Sequence, residues 1–135
     1  MVVADDPRQR NLLRMHLERI GFEVSVAADG LTALDSLRFT PPDIVVCDIE
    51  MPEFTGEHFV MQMRQRPQFV NTPVIMLSLG SVEVGDSVRR LPLGPVEYFC
   101  APIDIYALLA RVEFYVSPPA PDLVRSLVHP RVLGA

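Results

Sequence analysis

Ile44-Val45-Val46-Cys47-Asp48-Ile49-Glu50-Met51-Pro52-Glu53-Phe54-Thr55-Gly56 carries the pattern from which the architecture follows. Its first four residues are apolar without interruption, the mark of a strand buried on both faces, as in a parallel sheet covered by helices. An aspartate ends the run, and the Met-Pro pair after it reads as a turn. A helix is expected over residues 58–66, closed by Pro67, because proline cannot continue a helix interior.

The same strand-then-helix alternation extends in both directions. Residues 2–4 form a brief apolar run ending in Asp5 and Asp6. Residues 8–20 place Leu13, Leu17 and Ile20 on one helical face, and Gly21 stops that helix as a left-handed cap would. Residues 22–27 set Phe22, Val24 and Val26 against Glu23 and Ser25, the period-two pattern of a strand. Leu31, Leu34 and Leu37 fall at helical spacing within residues 31–39, before Pro41-Pro42. Downstream, residues 74–77 and 97–100 read as strands. Residues 81–90 read as a short fourth helix before Pro92, and residues 104–116 as a fifth helix with Asp104 as N-cap.

Five such βα units predict an α/β fold, a doubly wound five-stranded parallel sheet of order 2-1-3-4-5, the flavodoxin-like three-layer sandwich. In that order a site forms at the carboxyl ends of strands 1 and 3, where Asp5, Asp6 and Asp48 stand. The domain is expected to run over residues 1–116. Residues 117–135 begin Ser117-Pro118-Pro119-Ala120-Pro121 and read as a stiff linker and tail, with one short helix over 122–128.

Composition narrows the chemistry. All twelve basic residues among the 135 are arginine. With no lysine, the chain has no Schiff-base lysine, no lysine general base and no Walker-type phosphate loop. A net charge of −5 and an isoelectric point near 5.1 argue against sequence-independent nucleic-acid binding. Cys47 and Cys100 fall on strands 3 and 5, about two strand spacings or roughly 10 Å apart, too far for a disulfide. No apolar run is long enough to span a membrane, nothing at the start suggests a secretory leader, and a cytoplasmic setting is expected.

Three carboxylates converging at strand ends repel one another, and a hard divalent cation relieves the repulsion. Mg²⁺ suits the place, since it takes one or two carboxylates and keeps several waters. It also screens an incoming phosphoryl group, so that one carboxylate can attack phosphorus.

The chain resembles a response-regulator receiver domain, the CheY-like phosphoacceptor module of two-component signalling, over about residues 2–116. The resemblance is most specific from Asp48 to Gly56, an aspartate followed by a Met-Pro turn and a glycine opening the third helix. Gly21-Phe22-Glu23-Val24 and Ala28-Asp29-Gly30 with Ala33-Leu34 add to it. It implies a phosphoacceptor signalling domain rather than an enzyme, with Asp48 phosphorylated and Asp5, Asp6 and the Glu50 backbone carbonyl completing the Mg²⁺ site. Asp6 is the expected nearer ligand. Ser78 is implied to bond the phosphoryl oxygen, and Tyr98 to be the aromatic switch. The partner implied is a sensor histidine kinase or phosphotransfer protein, with an effector domain outside these residues. Ala107-Leu108-Leu109-Ala110-Arg111-Val112 resembles the branch joined to winged-helix transcription factors. Glu97 and Arg111 there match participants in a homodimer made through the fourth helix, fifth strand and fifth helix.

Departures from the family are local. Its lysine before the proline after strand 5 is here Ala101, and losing such an electrostatic partner costs on the order of 10²–10³ in rate. Leu79 replaces a small residue, and Gly85 and Pro92 interrupt the fourth helix. A degenerate receiver, acting as a phosphorylation-independent interaction or dimerisation module, is the alternative these changes raise. Aspartate-nucleophile phosphatases need a lysine and a second acid two residues on, and a flavin carrier needs a phosphate-cradling loop. The chain offers neither.

Overall fold

The computed structural model describes residues 1–78 and 93–117. The expected fourth helix, Leu79 and the tail beyond Ser117 lie outside those residues. Along the chain run β1 (Val2–Val3), α1 (Pro7–Arg19), β2 (Val26–Ala27), α2 (Gly30–Ser36), β3 (Val45–Asp48), α3 (Gly56–Arg64), a 3₁₀ turn at Pro67–Phe69, β4 (Val74–Ser78), β5 (Val96–Cys100) and α4 (Ile105–Tyr115). The last of these is the fifth helical segment of the sequence pattern. All strand pairs are parallel, and the sheet order is β2-β1-β3-β4-β5, as the alternation requires.

Strand alternation sends side chains to two separate cores. Val3, Val45, Cys47, Val74 and Met76 pack under α2 and α3 with Ala33, Leu37, Phe59, Val60 and Met63. Val2, Val46, Ile75 and Leu77 face the other way, against Leu13 and Leu17 of α1 and Leu108, Leu109 and Val112 of α4. The three central strands are therefore apolar at every interior position, which is why they carry no polar alternation in sequence. β5, at the edge, is half-buried throughout.

Helix ends follow local chemistry. α1 finishes in a Schellman motif: Gly21 has φ 103, its N–H donates to Glu18 O at 3.0 Å, and Phe22 N–H donates to Leu17 O at 3.1 Å. Asp29 caps α2 by accepting from Thr32 N at 2.7 Å, and Asp104 caps α4 through Tyr106 N and Ala107 N.

Two expectations need correction. Leu31 is 62% exposed on α2, whose buried positions are Gly30 and Ala33, with Leu37 just past its end. Leu34 and Leu37 pack into the core as spaced, and only Leu31 falls outside the packing face. The helix also stops at Ser36, where the hydroxyl bonds back to Thr32 O at 2.7 Å. The second strand has only two paired residues, because β1 offers only the rungs Val2↔Val26 and Val3↔Ala27. Phe22 and Val24 pack against the α1/α4 core without joining the ladder, and Val26 is exposed.

Arg64 ties down the end of the molecule opposite the acidic loops. Its guanidinium donates to Leu93 O, Phe69 O, Thr72 O and Pro95 O at 2.6–3.1 Å. One side chain thereby joins α3, the 3₁₀ turn and the segments that start β4 and β5.

Candidate functional site

The carboxyl ends of β1, β3 and β4 bring the polar residues together. Asp48 closes β3 and is only 2% exposed, yet neither of its carboxylate oxygens has a hydrogen-bond partner. Ser78 closes β4, is 1% exposed, and its Oγ is likewise unpartnered. Buried polar groups without partners are rare in folded proteins and call for an explanation, such as a catalytic role or a missing ion. Two at adjacent strand ends point to an occupant.

The surroundings make the charge on Asp48 costly. Burial, then the carboxylate of Asp5, then those of Asp6 and Glu50, push its pKa up from 3.8 to about 7. Against these acts the carboxamide of Gln9, which favours the ionised form from the first turn of α1. Its approach falls short of hydrogen-bond geometry, since both Asp48 oxygens remain unpartnered. Among the described residues, no cation is one of the groups acting on Asp48.

Asp5 and Asp6 are both exposed at the end of β1, but they do different things. Asp6 is the N-cap of α1, its Oδ1 accepting from Arg8 N at 2.9 Å. The cap occupies one of its two carboxylate oxygens, and Asp5 presses harder than Asp6 on Asp48. Ala4, fully buried, takes the strand position one beyond the Val3↔Cys47 rung and hence level with Asp48. Arg10 Nη1 donates to Ala4 O at 2.8 Å and to Asp5 O at 3.4 Å, bracing this loop.

Gly56 shows why α3 must open with glycine. A Cβ there would lie 2.0 Å from Asp48 O, so any side chain would drive the helix off the acceptor strand. The Gly56 N–H donates to Ile49 O at 3.0 Å, closing a turn in which Glu53 adopts φ 65. The Cys47 thiol, beside Asp48 and fully buried, is held well above its usual pKa by that burial, and so stays neutral.

Ala101 follows β5, joined to β4 by its N–H, which donates to Ser78 O at 2.8 Å. It is exposed and carries only a methyl group where the resemblance implies an ammonium. Tyr98 is half-buried and packs toward the α2/α3 core. Glu97 and Arg111 lie away from the acids and pair with each other within one chain. Arg111 Nε donates to Glu97 Oε2 at 2.8 Å and Nη2 to Oε1, and the guanidinium stacks over Phe114 at 4.3 Å. Both residues expected at a dimer contact are thereby joined intramolecularly.

The fit to a divalent cation rests on two carboxylates and not on a cage. Among the described residues, no three His, Cys, Asp or Glu side chains converge as a coordination sphere. Mg²⁺ asks for less: one or two carboxylates, with waters and carbonyls completing its octahedron. The unpartnered oxygens of Asp48, with Asp5 close by, meet that need. Gln9 and Arg10 were not evident from residue type. The available signal was position, since a side chain in the first turn of a helix leans back over the preceding loop.

Comparison with known proteins agrees with this geometry. The family model described as "Response regulator receiver domain" matches residues 1–113. The phosphate regulon transcriptional regulatory protein PhoB of Rhizobium meliloti (strain 1021) is 32% identical over 127 residues, covering 94% of this chain and 56% of that protein. The chain thus spans about half the length of that curated relative. Among solved structures, the Francisella response regulator 1452 receiver domain superposes with a TM-score of 0.72 at 30% identity, covering 84% of this chain and 92% of that one. Vibrio cholerae chemotaxis protein CheY4 gives 0.77 at 27% identity, covering 85% and 95%. With this sheet order, a family match over nearly the whole described chain and an aspartate buried at the carboxyl end of β3, the chain belongs to the receiver domains of two-component response regulators.

Proposed function

We propose that this receiver accepts a phosphoryl group on Asp48. The observation that carries the reading is the buried Asp48 carboxylate, unpartnered and opposed by neighbouring acids. Asp48 Oδ attacks the phosphorus of a phosphohistidine on a sensor kinase or phosphotransfer protein. An O–P bond forms as the P–N bond breaks, and the leaving imidazole keeps the electron pair and takes a proton. Asp5, Asp6, Asp48 and the Glu50 carbonyl would hold Mg²⁺, which when bound would supply positive charge at the transferring phosphoryl oxygens. Asp6, whose cap uses only Oδ1, keeps its second carboxylate oxygen for the cation and is the nearer ligand of the acidic pair. Ser78 Oγ donates to a phosphoryl oxygen, satisfying a hydroxyl that has no partner otherwise. Tyr98 reports the change along β5.

Residues 117–135 lead to an effector domain, and the setting is cytoplasmic. Among the described residues no helix is long and apolar enough to cross a membrane, and these residues bind no nucleic acid. The homodimer through Glu97 and Arg111 requires their intrachain pair to open or to be shared.

A second reading is favoured by Ala101, which leaves Asp48 with no cation acting on it among the described residues. Under it, the domain docks its partners without being phosphorylated. Incubation with Mg²⁺ and a small phosphodonor or beryllofluoride, followed by intact mass and oligomer size, separates the two. A mass gain lost in Asp48→Ala supports phosphoacceptance. No adduct and an unchanged oligomer leave the interaction module.

A further inference from the structure

Five side-chain atoms among the described residues are buried without a hydrogen-bond partner, and four belong to one place: both Asp48 oxygens, Ser78 Oγ and Gln9 Oε1. The fifth is Arg14 Nε, further along α1 and 3.9 Å from Glu18. An unsatisfied buried acceptor forfeits its hydration with nothing in return, so Gln9 Oε1 is an expensive feature unless something donates to it. Gln9 is the third residue of α1, counted from Pro7. A side chain there leans toward the helix N-terminus, over the loop that carries Asp5.

We infer that Gln9 is part of the acceptor site, its Oε1 accepting from a water held by the divalent cation while its amide group faces Asp48. The inference rests on the phosphoacceptor reading above and extends it to a residue that reading does not use. The chemistry is complementary. Mg²⁺ retains several waters, each with protons to donate, and Gln9 Oε1 is a buried acceptor on a side chain that acts on Asp48. An amide N–H directed at Asp48 supplies neutral donor character on the same carboxylate that Ala101 leaves without an ammonium. Gln9 is thus a positioning residue: it orients the cation's hydration and the acceptor without bonding the metal.

The test is cation affinity in the unphosphorylated full chain, with Mn²⁺ as probe and free Mn²⁺ read by electron paramagnetic resonance. Gln9→Met keeps the length of the side chain and removes both polar atoms. Outer-shell partners of metal sites are worth about 10–100-fold in affinity, so the dissociation constant should rise about tenfold. The cation-free melting temperature should not fall, since the variant removes an unsatisfied acceptor. Gln9→Glu keeps the shape and adds charge, and should tighten binding several-fold, which decides the matter if Gln9→Met does not fold. Affinities within twofold of the parent chain in both variants overturn the role of Gln9 alone. No uptake by the parent chain, or uptake unaffected by Asp48→Ala, overturns the cation site and Gln9 together.

Discussion

Replacing Asp48 by asparagine should stabilise the cation-free protein, and the gain should appear only as pH rises. The carboxylate is buried and unpartnered, and its pKa stands at about 7 against an ordinary 3.8. Between those values the folded chain holds a proton that the unfolded chain has released. Stability of the parent chain therefore declines as pH climbs from about 4 to about 7 and stays reduced above. Some three pH units at 1.36 kcal/mol each give a ceiling of about 4 kcal/mol. Water at the mouth of the site screens part of this, leaving roughly 2–3 kcal/mol at pH 8. The substituted carboxamide carries no charge and lacks that loss, so Asp48→Asn should melt about 8–12 °C above the parent at pH 8, at about 4 °C per kcal/mol. At pH 4 the two should nearly coincide. The assay is thermal unfolding by circular dichroism across that pH range, with a chelator present. Equal melting temperatures at pH 8, or a larger gap at pH 4, would refute the claim that burying this charge is costly. Adding Mg²⁺ at pH 8 should raise the parent and leave Asp48→Asn unmoved.

Other outcomes follow from single contacts. Ala101→Lys should place an ammonium beside Ser78 and Asp48, raising phosphoryl uptake from a small donor at least about tenfold and flattening the pH dependence just described. Gly56→Ala forces a methyl to within 2.0 Å of Asp48 O. The cost should be about 1–3 kcal/mol in urea denaturation, with weaker cation binding. Arg64→Ala strands four carbonyl acceptors at the far end of the sheet and should cost about 2–4 kcal/mol. Arg64→Lys should recover little, because an ammonium cannot span the same four oxygens.

The element order and sheet topology were legible because burial on both faces leaves an unmistakable mark on central strands. Residues 44–47 and 74–77 have nothing but apolar side chains to offer two cores, and they supply β3 and β4. Edges were harder to read. Phe22 and Val24 show strand alternation because they cover α1 and α4, yet pairing depends on how many rungs β1 supplies. Leu31 keeps helical spacing with Leu34 and Leu37, but it stands in the first turn after the Asp29 cap, where only the later two leucines reach the core. At the site, the sequence pattern located three acids and the family resemblance ranked Asp6 as the nearer cation ligand, but not that Asp5 acts more strongly on Asp48. That Asp6 caps α1 while Asp5 faces the acceptor depends on where the helix begins, a matter of one residue. Glu97 and Arg111 are 14 apart in sequence, and their bond follows from α4 crossing β5. Gln9 carries no motif, and only the packed first turn of α1 brings it to Asp48.

The central claim is that Asp48 forms the acyl phosphate. Its most direct test is to incubate the chain with Mg²⁺ and a small phosphodonor, reduce the product with borohydride, and map the peptides by mass. Borohydride cleaves an acyl phosphate and leaves an alcohol in place of the carboxyl group, marking the modified residue. The account predicts homoserine at position 48, with Asp5 and Asp6 unmodified, and no conversion when Mg²⁺ is withheld. Aspartate intact at position 48 under conditions that reduce an authentic acyl phosphate, or conversion at Asp5 instead, would contradict it.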